Sequence, residues 1–486
     1  MSDASQSAPT SGLAVGLDIG TTSVKAVVAD EAGNIVGRHR LPSKLTVGPA
    51  GHFEHDAVAT WWEGPRALLA EVFDELREPG RGKPQAVAVS AMMPSVAAVD
   101  ASGRPIGPGL LYGDRRGESP ARGPDSQAGG EGPRAGGDPT ASDEMACLAG
   151  WAAADAPSAS GYWPAQAVAN ASLGGEGVTD LASAFAAGTL FGDGGWQEAV
   201  CQAGGFSPAQ LPRVAFFGER IGEVHAATGG EIVLGAGSVD GLCEHMVSGA
   251  VRDGDVFVGL GGALVVWLSV PGWPEEVPGL WRVPHFVAGK AMLGGASTAG
   301  GMWVDWADRV LRPGDDDGAT FGPREVPLWW SWAKGERVPF HDRSLRIALA
   351  GADVSQGPGA LRRAAFEATG FVVRHIAELA ATSGTSPQRF VLSGGGVRNE
   401  AWLQAIADVL GAPVVPMAFP EGAALGSAFL ARMALGAESS LDDAARWARW
   451  SPPVEPRPAW ADAAGERYER WKAGLPQGRS AGRLGL

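Results

Sequence analysis

Residues 13–29 read Leu13-Ala-Val-Gly-Leu-Asp18-Ile-Gly20-Thr21-Thr22-Ser23-Val-Lys25-Ala-Val-Val-Ala29. Two apolar, β-rich runs flank a Gly/Thr turn, which is the pattern of a β-hairpin. Gly33-Asn34 offers a second turn before Ile35-Val36, so the chain is expected to open as a meander of about three strands. A glycine at the hairpin tip lets backbone N–H groups and neighbouring hydroxyls approach a phosphate. Asp18, at the end of a buried strand, is placed to hold a hydrated Mg²⁺. An ordinary hairpin turn is the competing reading, and repetition weighs against it. Val256-Phe-Val-Gly-Leu260-Gly261-Gly262-Ala263-Leu-Val-Val-Trp-Leu268 is again two apolar runs around a glycine turn. Two such hairpins, each expected to open an α/β domain, are far less expected by chance than one.

Two further stretches share the pattern of a strand running into glycines before a helix. Leu392-Ser393-Gly394-Gly395-Gly396 precedes a helix expected over Glu400 to Leu410. Such a turn lets a flat base or ribose lie against bare backbone, and the helix N-terminus favours polar ligand atoms. It is neither a P-loop nor a G-x-G-x-x-G fingerprint. Gly235-Ala-Gly-Ser238-Val-Asp240-Gly241 sets a carboxylate between glycines at a strand end. That placement suits a general base for a substrate hydroxyl; helix capping is the competing role. Apolar spacing also predicts a helix from Asp56, as N-cap, to Leu76, and another over residues 357–381.

Composition bounds the remaining possibilities. The chain has 486 residues, 45% hydrophobic and 19% charged, enough for about two to four globular domains. A net charge of −15 disfavours a broad nucleic-acid-binding face. No long apolar run spells a membrane span, and the polar N-terminal residues do not form a signal peptide. Three scattered cysteines, Cys147, Cys201 and Cys243, fit a reducing cytoplasm and no disulfide framework. Residues 1–12 read as a disordered terminus and residues 475–486 as a tail. Residues 117–143, rich in Gly, Pro and Ser, lack apolar side chains and are expected to be a flexible loop.

Taken in order, these motifs resemble those of the FGGY carbohydrate kinases of the actin-like ATPase superfamily, from about Leu13 to about Leu435. Leu17-Asp-Ile-Gly-Thr-Thr-Ser-Val-Lys25 is similar to the family's first phosphate motif. Phe53-Glu-His-Asp56 with Trp61-Trp62 resembles its E-Q-D-P…W-W segment, and Leu111-Tyr-Gly-Asp-Arg-Arg116 its L-W-x-D-x-R sugar segment. Thr179-Asp180 with Ser183 resembles T-D-x-S, and Gly237-Ser-Val-Asp240 sits where the family has G-G-G-D. Lys334-Gly-Glu-Arg-Val-Pro-Phe-His-Asp342 resembles G-E-R-x-P-x-x-D. Ser393-Gly-Gly-Gly-Val-Arg-Asn399, Trp402 and Glu421-Gly-Ala-Ala-Leu-Gly426 resemble the adenosine motif and its following helix. In layout the chain is most similar to the xylulokinases.

The resemblance implies two α/β domains of the ribonuclease-H-like type with a cleft between them. Residues 13–250 would form the sugar-binding domain and residues 251–474 the ATP-binding domain. It implies phosphoryl transfer from MgATP to a hydroxyl of a small sugar or polyol, most plausibly a ketose such as xylulose. Asp240 would be the catalytic base and Asp18 the Mg²⁺ contact. Thr21, Thr22, Gly261 and Gly262 would hold phosphates, and Gly395, Gly396 and Asn399 would face adenosine. Asp114 and Arg116 would hold sugar hydroxyls, with Met93 lining that pocket. No nucleic-acid or membrane partner is expected, and a homodimer is left open. Two departures stand out. Met92-Met93-Pro94-Ser95 replaces the xylulokinase Q-M-H-G, and Gly259-Leu-Gly-Gly-Ala263 replaces S-L-G-T-S, losing two hydroxyls near the γ-phosphate. These departures favour a competing class, a catalytically weak sugar- or nucleotide-binding protein on the same fold; the presence of Asp18 and Asp240 opposes it.

Overall fold

The computed structural model describes residues 12–48, 51–77, 82–116, 144–225, 231–311, 321–333, 335–342 and 344–476. The expected loop 117–143, nearly all of the expected N-terminal stretch and most of the tail lie outside the described residues. Contacts divide the chain into two units, Met1–Val247 with Ala423–Trp447, and Ser248–Gly422 with Ala448–Leu486. The sequence reading sets one boundary, between residues 250 and 251. The contacts divide between Val247 and Ser248 and additionally give Ala423–Trp447 to the first unit.

The first unit is built on a six-stranded sheet of β1 (Leu13–Ile19), β2 (Ser23–Ala29), β3 (Ile35–Pro42), β4 (Pro84–Ala91), β5 (Arg220–His225) and β6 (Glu231–Gly235), in the order β5-β6-β4-β1-β2-β3. β1 runs antiparallel to β2, with Asp18 opposite Lys25, and parallel to β4; β6 is parallel to β4. β1 is buried at every position, as its unbroken apolar run requires of a strand covered on both faces. β3 is one edge, and its Arg38 and Arg40 charges suit an edge that must not pair further. A second sheet includes the strands Phe53–His55, Gly109–Leu111 and Ser95–Val99, and the helix Glu144–Asp155 packs on it.

The helix expected from Asp56 to Leu76 is present but begins differently. Asp56 caps it, its Oδ1 accepting from Ala59 N at 3.1 Å. The chain then runs as a π-helix over Val58–Glu63 and turns α only over Gly64–Glu75. Pro65, lacking an N–H, cannot donate to the preceding turn, and it sits at the junction where the π-helix gives way to the α segment.

The helix Gly422–Ala434 lies directly on β1. A Cβ on Gly16 would lie 1.7 Å from Ala424 O, and one on Gly426 would lie 2.0 Å from Cys243 O. Backbone meets backbone at both places, so only glycine fits.

The second unit repeats the design. Its six strands are β7 (Asp255–Leu260), β8 (Leu264–Pro271), β9 (Trp281–Pro284), β10 (Lys290–Ser297), β11 (Arg389–Ser393) and β12 (Val414–Pro416), in the order β9-β10-β8-β7-β11-β12. β7 is antiparallel to β8 and parallel to β11, and β11 is parallel to β12. The series β10-β8-β7-β11-β12 thus matches β3-β2-β1-β4-β6 in direction and pairing. Trp61 and Trp62 in the first unit and Trp329, Trp330 and Trp332 in the second are all buried. A buried ion network ties three helices of the second unit together. Glu367 accepts from Arg363 Nε (2.9 Å) and Arg467 Nε (2.7 Å), and Asp408 accepts from Arg363 and Arg457.

Replacing Gly16 by Ala is expected to cost about 3 kcal/mol or more, because the added methyl can only push the helix off its strand. Gly465→Ala, in the helix Pro458–Ala473 with nothing within 4 Å of the new Cβ, should instead gain about 0.5–1 kcal/mol. Thermal melts of the two variants beside the wild type check both signs.

Candidate active site

In the first unit the candidate residues gather where parallel strands end. β1 finishes on Asp18-Ile19, and Gly20 N donates to Ser23 O at 3.0 Å to close the tip. Asp18 is 3% exposed. Lys25 Nζ reaches its Oδ2 at 3.2 Å, and Ser90 Oγ on β4 lies 3.2 Å from its Oδ1. Asp18 raises the Lys25 pKa most; burial works against it, and Glu244 and Asp240 add to the rise. Lys25 is thus the direct partner of Asp18. The sequence reading quoted Lys25 inside its motif without giving it a role.

The tip is also held from below. Thr21 Oγ1 is 2.7 Å from the Tyr112 hydroxyl, and Thr21 O is 2.7 Å from His55 Nε2. Trp61 Nε1 donates to His55 Nδ1 at 3.0 Å. An indole nitrogen can only donate, so His55 carries its proton on Nε2 and gives it to the Thr21 carbonyl. Burial lowers the His55 pKa, outweighing the pull of that carbonyl. The Thr22 side chain is exposed.

Asp240 opens the helix Asp240–Met246 but does not cap it; Val239 occupies the capping position, and Asp240 Oδ1 accepts from Gly241 N at 2.7 Å. The loop leading to it is fixed by Asp180, a residue quoted in a motif but given no role. Asp180 is fully buried, caps the helix Leu181–Ala186 through Ala182 N (2.9 Å), and accepts from Ser238 Oγ at 2.7 Å. Burial raises its pKa against the bonds from Ser183 and Ser238.

Asp114 and Arg116 are occupied with each other. Asp114 Oδ2 accepts from Phe53 N (2.8 Å) and Arg116 Nη2 (2.7 Å), and Oδ1 from Arg116 N (3.0 Å) and Nε (3.1 Å). Four acceptor sites are then filled, which is the full capacity of a carboxylate. Burial opposes its charge, but these bonds outweigh it and hold Asp114 below the usual carboxylate range. Arg116 also binds Glu54 and stacks over Trp151 at 4.4 Å, and among the described residues its bonds run through its backbone N, Nε and Nη2. Met93 is partly buried against the core beneath the helix Glu144–Asp155.

In the second unit the structure brings the remaining glycines together. Gly261 O accepts from Gly301 N (2.7 Å) and Gly262 O from Met302 N (3.0 Å), so the tip between β7 and β8 caps the helix Gly301–Leu311. A Cβ on Gly300 would lie 2.3 Å from Ala263 C. The turn after β11 packs on the same tip: a Cβ on Gly396 would lie 2.6 Å from Leu260 Cβ and from the Trp402 ring. A Cβ on Gly395 would meet nothing within 4 Å, so this position faces open space. Asn399 caps the helix Glu400–Leu410, its Oδ1 accepting from Trp402 N at 3.1 Å.

Comparison with known proteins fits this arrangement. The FGGY family of carbohydrate kinases, N-terminal domain, matches residues 13–123, and its C-terminal domain matches residues 317–435. The xylulose kinase of Streptomyces coelicolor is 27% identical over 470 residues, covering 91% of this chain and 92% of that protein. The glycerol kinase of Renibacterium salmoninarum is 24% identical over 503 residues, covering 94% and 96%. The crystal structure of xylulose kinase from Rhodospirillum rubrum shares the fold at a TM-score of 0.75, with 24% identity over 95% of this chain and 98% of that chain. The chain belongs to the FGGY family of carbohydrate kinases, which are ATP-dependent phosphotransferases, and its fold is the two-domain α/β fold of the actin-like ATPases.

The His55 geometry makes a pH-dependent prediction. Unfolded His55 takes up a proton below about pH 6.5, whereas the folded side chain resists it. Stability should therefore fall as pH drops below that value. A glutamine amide can accept from Trp61 and donate to Thr21 without titrating. In His55→Gln the loss of melting temperature between pH 7 and pH 5 should shrink; an unchanged loss contradicts the assignment.

Proposed function

We propose that this chain transfers the γ-phosphoryl group of ATP to a hydroxyl of a small sugar or polyol, a ketose such as xylulose being the first candidate. One observation carries the proposal. The carboxylate of Asp240 stands at the start of a helix, and the strand ends that carry it and Asp18, the latter at the tip of the phosphate-type hairpin, are stitched together by the bonds from Met92 N to Ile19 O and from Ala91 N to Ser238 O. We assign the sugar to the first unit and the nucleotide to the second.

Asp240 would accept the proton of the attacking hydroxyl as its oxygen bonds to the γ-phosphorus and the bond from that phosphorus to the bridging oxygen breaks, releasing ADP, while Asp180 holds its loop through Ser238. Thr21, Thr22, Gly261 and Gly262 would hold phosphates, and Gly395, Gly396 and Asn399 the adenosine. Such a reaction rests on positioning and charge stabilisation more than on covalent chemistry. Among the described residues no group of three or more His, Cys, Asp or Glu side chains could cage a metal ion. A single carboxylate at the hairpin tip, Asp18, suits Mg²⁺ as it commonly binds, through one or two carboxylates, waters and substrate phosphate. Bound there, Mg²⁺ neutralises charge on the phosphate oxygens. Among the described residues no helix is long and apolar enough to cross a membrane.

Substrate choice follows from what the sugar segment offers. Asp114 has no acceptor site to spare, so we assign it to orienting Arg116, whose Nη1 would meet the sugar. Met92, Met93 and Pro94 add no side-chain donor. A site with few polar groups cannot bond every hydroxyl of a pentulose, and lost designed bonds cost discrimination heavily. Either a less hydroxylated substrate, such as a deoxy sugar or short polyol, or broad activity on ketoses is the expected profile. It is checked by kcat/KM with ATP across xylulose, ribulose, glycerol and deoxy analogues. A preference for D-xylulose by orders of magnitude would overturn the specificity reading and leave the kinase reading standing; no turnover with any acceptor would sink the latter. Asp240→Asn should keep ATP binding and lower kcat by roughly 10²-fold or more.

A further inference from the structure

We propose that Glu336 is a positioning residue that aims the Gly261-Gly262-Ala263 tip at phosphate, acting through the turn from Ser297 to Gly301. The inference rests on the reading of that tip as a phosphate cradle. Glu336 belongs to the Gly335-Glu336-Arg337 motif, which the proposed chemistry leaves unused. It is 2% exposed.

The connection can be followed bond by bond. Glu336 Oε1 accepts from Thr298 N (2.9 Å) and from Arg337 N (2.8 Å), and Oε2 accepts from Ser297 Oγ (2.8 Å). Ser297 Oγ in turn accepts from Ala299 N (3.1 Å). One carboxylate thus fixes three consecutive residues at the end of β10. The next residues begin the helix Gly301–Leu311, whose first N–H groups have no partner within the helix. Gly301 N and Met302 N spend theirs on Gly261 O and Gly262 O.

Peptide planarity carries the effect to the ligand side. In a trans peptide the N–H points opposite to the C=O. Drawing the Gly261 and Gly262 carbonyls towards the helix therefore turns the N–H groups of Gly262 and Ala263 away from it. This tip bears no hydroxyl side chain, so those backbone donors are all it can offer a phosphate. An ionisable group here works against its surroundings: burial pushes Glu336 up to about 7, opposed by its bonds to Thr298, Ser297 and Arg337. An apolar side chain would pack at lower cost but would leave the turn's donors unmet.

The test measures ATP binding by calorimetry, KM for ATP and for the best sugar, and the melting temperature, all on the full chain. Glu336→Ala should raise KM and Kd for ATP between about tenfold and 10²-fold, the scale for a misplaced site, with KM for sugar nearly unchanged. Glu336→Gln keeps a carbonyl for the two amides and can donate to Ser297 Oγ, so it should restore nucleotide binding. Gly301→Ala attacks the same link from the other side, its Cβ falling 2.8 Å from Gly261 O, and should reproduce the nucleotide defect. Folded Glu336→Ala with wild-type affinity for ATP, or with both KM values raised alike, overturns the inference. If Glu336→Ala does not fold, Gly301→Ala decides: normal ATP binding in that variant overturns it equally. A wild-type chain that does not bind ATP removes the nucleotide-site reading itself, an outcome distinct from either.

Discussion

Parallel pairing of β4 with β1 on one side and β6 on the other is the constraint from which the first unit's chemistry follows. Parallel strands deliver their C-terminal ends to one edge of a sheet, where side chains and loops are free of the ladder. Asp18 stands at the end of β1, Met93 just beyond β4 and Asp240 just beyond β6. Residues remote in sequence meet because the sheet has this polarity. Met92 N donates to Ile19 O and Ala91 N to Ser238 O, stitching the three strand ends together. In the second unit β7, β11 and β12 do the same for Gly261 and Gly395.

Much of this was legible in the residues. The two hairpins are marked by apolar runs broken by glycine, a short-range pattern that survives any tertiary context. The strand ends carrying Asp18, Asp240 and the three glycines follow from them. What stayed hidden depends on distant partners. Arg116 stands two residues from Asp114, but only the fold brings the Phe53 N–H to the same carboxylate. The motifs of Asp180 and Glu336 were visible, but their work is done on Ser238 and on Ser297 to Ala299, which only folding brings near. The π-helical opening at Val58–Glu63 is likewise not revealed by a helical period alone. The attachment of Ala423–Trp447 to the first unit is equally non-local, since its neighbours in the chain belong to the second.

The buried carboxylates show how one chemical group is put to different uses by its partners. Asp18 faces an ammonium, Asp180 faces hydroxyls and amides, Glu336 faces amides and a hydroxyl, and Glu367 faces two guanidinium groups. Burial raises the pKa of Asp180 and Glu336, whose bonds come mainly from neutral donors. Asp114, with an arginine across it, goes the other way. Full positive charges hold a carboxylate ionised; dipoles hold it in place while letting its proton affinity climb.

The seating of the helix Gly422–Ala434 on β1 has a consequence for how the molecule is made. A ribosome delivers β1 early and this helix late, so the nascent first unit lacks the backbone that covers Gly16 and Cys243 until most of the chain has emerged. During that interval the central strand presents an uncovered apolar face, and the second unit must be threaded out before the first can close. Synthesis of this protein thus has a long window in which its first-made sheet is incomplete, and helper proteins that shield exposed apolar surface would act within it.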